Sequence, residues 1–147
     1  MSQVTTARDE QFERDVVAAF AFIATDTPTV TASWYDAHSF GNAVVEIAGS
    51  LRTRVTRDRG QYLVDLSPAD RYDWFDEEIV LRFVGADADA DALISGRWKS
   101  LTASADAIHR HVQRILLAFA SDSWSTVRPI LKELQHRRAQ ALFDQKQ

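Results

Sequence analysis

Cysteine is absent from the chain. That excludes disulfides, thiolate metal ligands and a thiol nucleophile, and it fits a reducing compartment without requiring one. Glycine occurs only five times. Gly49, Gly60, Gly85 and Gly96 stand apart as turn or stop residues, so neither a P-loop nor a dinucleotide fingerprint appears. No run approaches the roughly 20 apolar residues of a membrane span. The opening MSQVTTARDEQFERD carries charge where a signal peptide needs an apolar stretch. A basic excess is missing too: 17 basic against 21 acidic residues leave a net charge of -4, the wrong sign for a non-specific nucleic-acid footprint. The four histidines, His38, His109, His111 and His136, match no zinc-finger or HEXXH spacing. These absences lead us to expect a cytoplasmic protein with no cofactor, no membrane association and no nucleic-acid partner.

What is present is a period-2 alternation from about Thr29 to Leu66. Val45 and Ile47, then Leu51, Thr53 and Val55, then Tyr62, Val64 and Leu66 take every second position within their own segments. Glu46, Arg52, Arg54, Gln61 and Asp65 stand at the alternate positions of the same segments. Such a pattern describes antiparallel strands packed on one side and wetter on the other. Thr29–Asp36, Asn42–Ala48, Leu51–Arg57 and Gln61–Leu66 are the expected strands. Gly49-Ser50 is expected as a type II′ turn, and Arg57–Gly60 as a second turn, giving a meander. Within the first strand, Val30, Ala32 and Trp34 share one parity, and Thr31, Ser33 and Tyr35 the other.

Helical sequence flanks the alternation. Phe12, Val16, Phe20 and Ile23 form a stripe over a helix from Thr6 to Ala24, broken by Pro28. Asp73 is expected to cap a helix to Val84, with Asp76 and Glu77 at its positive end and Gly85 as its stop. The alternation ADADADA begins a modest helix ended by Ser95-Gly96; it lacks the central glycine and late glutamate of a calcium loop. Ser104 is expected to cap a helix over Ala105–Ala120. A last helix starts near Ser125, with Pro129 in its first turn and Lys132, Arg137, Arg138 and Lys146 toward water. The expected fold is one α+β domain over residues 1–147: an N-terminal helix, an antiparallel sheet of about four strands, and C-terminal helices packed on it. The first and last few residues are expected to be flexible.

Three surface groups carry recognition chemistry. Arg52 and Arg54 point from one strand face, with Arg57 and Arg59 crowding the following turn. Guanidinium groups there could clamp phosphate or meet an acidic partner, or be balanced across strands by Glu46 and Asp65. Tyr72, Asp73, Trp74, Asp76, Glu77 and Glu78 form an aromatic-acidic cluster, in which the rings anchor and the acids pair with a partner's lysines or arginines. Trp34, Tyr35 and His38 form a third rim. For chemistry, Asp106 and His109 are three apart on a helix face, but no nucleophile-elbow motif accompanies them. The run NAVVEIAGSLRTRVTRDRGQYLVDLSPADRYDWFDEEIVLRFVG, about Asn42 to Gly85, resembles small bacterial α+β proteins of uncharacterised or immunity-like type. The resemblance implies binding and neutralisation of a cognate toxin. The leading expectation is therefore a non-enzymatic protein-binding domain. Beside it stand a small enzyme or ligand-binding domain, with His38, Tyr35, Arg52 or Asp106 lining a pocket between sheet and helices, and a homodimer or larger oligomer formed through an edge strand or a terminal-helix stripe.

Overall fold

Asp9 caps the first helix, α1 (Glu10–Ala19), its carboxylate accepting from the Phe12 N–H. The computed structural model describes residues 8–38, 41–95 and 100–145. The expected start at Thr6, the stop at Gly96, Lys146 and the flexibility of the chain ends lie outside them. α1 ends earlier than its stripe implies, because the chain tightens into a 3-10 turn at Ala21–Ile23 that still buries Phe20 and Ile23.

The strands are β1 (Thr29–Asp36), β2 (Asn42–Ala48), β3 (Leu51–Asp58), β4 (Gln61–Pro68) and the short β5 (Phe75–Asp76). They form one antiparallel meander in the order β1-β2-β3-β4-β5. The inward parity expected from the sequence is the buried one. Val45, Val55 and Val64 lie side by side across three strands, as do Ile47, Thr53, Leu66 and Phe75 across four. A one-residue slip anywhere would turn such a row to water, so burial holds the register.

Two turns differ in how they work. Between β3 and β4, Arg59 and Gly60 take φ of 52° and 79°. This is a two-residue type I′ turn closed by the Asp58–Gln61 pair. The β2–β3 turn is not the expected type II′, since Gly49 lacks positive φ. Glycine is needed there for space: a Cβ would stand 2.2 Å from the Ile23 carbonyl oxygen. That oxygen accepts from the Ser50 N–H at 2.6 Å.

The first strand departs from simple alternation. Its register with β2 shifts between Val30 and Ala32, a bulge at Thr31. Val30 therefore faces the helices, while Ala32 and Trp34 turn outward and Tyr35 turns in to pack on the core.

The helices begin and end where the tertiary contacts place them. α2 (Glu77–Phe83) is capped by Asp76, which accepts from the Glu78 N–H. Asp73 is not the cap; its N–H donates to Ser67 Oγ. Pairing of Phe75 and Asp76 with Leu66 and Asp65 delays the helix, and Gly85 at φ 84° ends it. α3 (Asp87–Ser95) contains the Asp/Ala alternation. The expected Ala105–Ala120 helix is two helices, α4 (Leu101–Arg110) and α5 (Val112–Phe119), separated at His111. Ser100 caps α4; Ser104 is buried instead. α6 (Ser121–Gln145) carries Pro129 well inside it rather than in the first turn. Its early turns bury Trp124, Val127 and Leu131. The Trp124 ring meets Phe75 and Phe119 edge-on, at centroid distances of 5.8 and 5.4 Å.

All these elements meet on one side of the sheet. Phe12, Val16, Phe20, Ile108, Ile115, Phe119 and Trp124 close over the inward strand residues. A smaller cluster of Leu81, Ala86, Ala90, Leu93 and Ala107 ties α2, α3 and α4 together. Among the described residues, no helix is long and apolar enough to cross a membrane.

Candidate functional site

Alternation that buries one sheet face must present the other. Across the outward face, register aligns Trp34, Val44, Thr56 and Leu63 on β1 to β4. The next row is Ala32, Glu46, Arg54, Asp65 and Asp76. Beyond it lie Ala48, Arg52 and Ser67. Trp34 and Leu63 remain 48% and 44% exposed. They stand three strand spacings apart, about 14 Å. The core residues of the described helices pack with the inward strand residues instead.

The basic strand face and the aromatic-acidic cluster, separate in the sequence, are one surface in the fold. The segment after β4 folds back along the outward face. The Arg52 guanidinium carbon lies 4.2 Å from the centre of the Tyr72 ring, and that of Arg54 lies 4.6 Å from Trp74. Each stack contributes about 0.5–1 kcal/mol at this exposure. Arg54 also donates to Asp65 Oδ2, through Nε at 3.3 Å and Nη2 at 3.1 Å. Arg52 donates through Nε to the Ala69 carbonyl at 2.9 Å. Tyr72 stays 67% exposed. The other two arginines have separate duties. Arg57 spans Asp9 and the Gly41 carbonyl over the Phe12 ring, and Arg59 makes the hairpin turn.

The acids expected to meet a basic partner are engaged within the chain. Arg128 pairs with Asp73. Arg138 lies 3.1 Å from both Asp76 and Glu78. Burial works against the Arg138 charge, but the two carboxylates outweigh it and hold its pKa above the ordinary arginine value. Glu78 also pairs with Arg82, which Asp91, Asp87 and Glu78 together keep above the usual arginine range against the cost of desolvation. Glu77 is fully buried, its Oε1 accepting from Ser104 Oγ at 3.0 Å. It has no surface to offer a partner, which corrects its assignment to the contact cluster.

The residues expected around a pocket are not gathered. Arg52 lies on the open face, Tyr35 packs inward, His38 follows β1, and Asp106 sits on α4 in the helix layer. Asp106, His109 and Arg110 line a broad, open hollow of about 300 Å³. His109 is occupied there by Phe22, stacked at 4.2 Å with the planes 5° apart. Among the described residues, no three His, Asp or Glu side chains converge as a metal site.

Leu63 was legible as part of the face, since it sits opposite Tyr62, Val64 and Leu66 in parity. Trp34 was not, because its direction depends on the Thr31 bulge. Comparison with protein-family models, curated proteins and solved structures finds no match.

Proposed function

We propose that this chain is a protein-binding domain, and that it acts as an immunity protein by seating a cognate toxin on the open sheet face. One observation carries the reading. The outward sheet face leaves Trp34 and Leu63 about half exposed and Tyr72 two-thirds exposed, beside two arginines already stacked on aromatic rings. Tryptophan, tyrosine and arginine dominate binding hot spots: the rings offer large contact area with few rotors to immobilise, and the two arginines here are already held by stacking. A broad, shallow surface suits another protein better than a small molecule, which requires enclosure. The immunity-like resemblance of residues 42–85 supplies the class of partner.

The test is recovery of the bound protein from the native host, followed by co-expression. The recovered protein is toxic when expressed alone and harmless beside this chain. Trp34→Ala and Trp74→Ala each weaken the complex by about tenfold or more while melting stays cooperative. A recovered partner without toxicity removes the immunity assignment. Affinities unchanged in both variants remove the face.

A further inference from the structure

We propose that the partner presents a carboxylate, from an Asp or Glu beside an apolar side chain, to the Arg52 guanidinium on its Tyr72 shelf. The inference rests on the protein-binding reading above and specifies the chemistry of that partner. It also reverses the charge expected from the acidic cluster. Asp73, Asp76 and Glu78 already hold Arg128, Arg138 and Arg82, and Asp65 holds Arg54. Arg52 differs from these four arginines: among the described residues, no carboxylate pairs with it. Its Nε is taken by the Ala69 carbonyl at 2.9 Å, and Nη1 is buried with no acceptor. Nη2 has no hydrogen-bond partner among the described residues.

A partly buried cation with unused donors is an incomplete ion pair. Stacking and the Nε bond hold the group in place, so little freedom is lost when an anion arrives. Glu46 stands opposite Arg54 on the same face. It keeps the surroundings from becoming net positive and disfavours a polyanionic nucleic-acid backbone. What remains is a single cationic point beside the exposed Tyr72 ring, with the Glu46–Arg54–Asp65 row between it and Trp34 and Leu63: the complement of one acid next to an apolar side chain that covers the ring.

The full chain is panned against a random peptide library displayed on phage, in parallel with Arg52→Gln, Arg52→Lys and the double variant Trp34→Ala, Leu63→Ser. Expected is enrichment of Asp or Glu next to an apolar residue. Resynthesised peptides then lose about tenfold in affinity when the acid becomes its amide, and Arg52→Gln abolishes that difference. Arg52→Lys retains part of it. The peptide substitution needs no change in the protein, so a poorly folding Arg52→Gln leaves the test intact. Peptides that discriminate acid from amide by less than twofold, or that are enriched in Lys and Arg, overturn the carboxylate assignment. If they still depend on Trp34 and Leu63, the face itself stands. Peptides indifferent to every substitution, or no selection at all, remove both. A concentration-dependent mass in the full chain that is lost in the double variant overturns the proposal in favour of a second copy.

Discussion

Gly49→Ala tests the close approach of the β2–β3 turn to the 3-10 turn. The new methyl would lie 2.2 Å from the Ile23 carbonyl oxygen, 2.8 Å from its carbon and 3.0 Å from Ile23 Cγ1. The nearest obstacle is backbone, so no rotamer change relieves it. The β2–β3 turn must move away from the 3-10 turn by about 1 Å to restore ordinary contact. That movement breaks the bond from the Ser50 N–H to the Ile23 carbonyl, a loss of about 0.5–1.5 kcal/mol. It also disturbs the packing of Ile23, which is almost fully buried, adding an overpacking cost of about 1–3 kcal/mol. Together these give a destabilisation of about 1.5–4.5 kcal/mol, a large fraction of a small domain's stability. Equilibrium urea denaturation of the full chain measures it as a lower midpoint at unchanged slope. Gly49→Asn sharpens the argument. In a type II′ turn, asparagine would be tolerated at this position; against the Ile23 carbonyl it should cost at least as much as alanine. A loss below about 1 kcal/mol for Gly49→Ala, or a markedly milder Gly49→Asn, would refute the steric account.

Three other outcomes follow from local chemistry. Thr53 is fully buried in the Ile47–Leu66 row, and its hydroxyl has no hydrogen-bond partner among the described residues; Thr53→Val should stabilise the fold by about 1–2 kcal/mol in the same urea assay. Arg59 holds a left-handed conformation at φ 52°, so Arg59→Asn, which takes that region more readily, should raise stability by about 0.5–1 kcal/mol, visible as a higher melting temperature. Asp9 is held below its usual pKa by the hydrogen bond from Arg57 and then by the Phe12 N–H. Its contribution is present above the ordinary carboxylate range and is lost as pH falls through the depressed value; urea midpoints taken down a pH series should show Asp9→Asn less stable at neutral pH, with a shallower acid limb.

The legibility of the fold follows the range of the forces that make each part. The β2, β3 and β4 alternation was readable because side chains on a strand alternate strictly and one face must be dry. The stripe Ile108, Val112, Ile115 and Phe119 was equally readable as helix. The break at His111 was not, because the periodicity continues across it. Asp89 of α3 meets His111 Nε2 at 2.6 Å there, from 22 residues away in the chain. Pro129 argued for a helix beginning close before it, since proline removes a backbone donor. α6 nevertheless starts at Ser121, because burying Trp124 between Phe75 and Phe119 offsets that loss. The candidate site shows the same division. Arg52, Arg54, Tyr72 and Trp74 were each singled out, but as two competing surfaces.

The amino-acid sequence by itself determined which residues are dry and which are wet along β2, β3 and β4, and therefore that a sheet face would be left open. Burial of alternating side chains is a local periodicity and needs no knowledge of distant partners. Only the tertiary structure decided what that open face contains. The Thr31 bulge turned Trp34 outward, the return of residues 70–74 laid aromatic rings against Arg52 and Arg54, and the arginines of α2 and α6 consumed most of the acids. Those outcomes depend on contacts between segments far apart in the chain, where geometry rather than residue order determines which charge finds a partner within the fold.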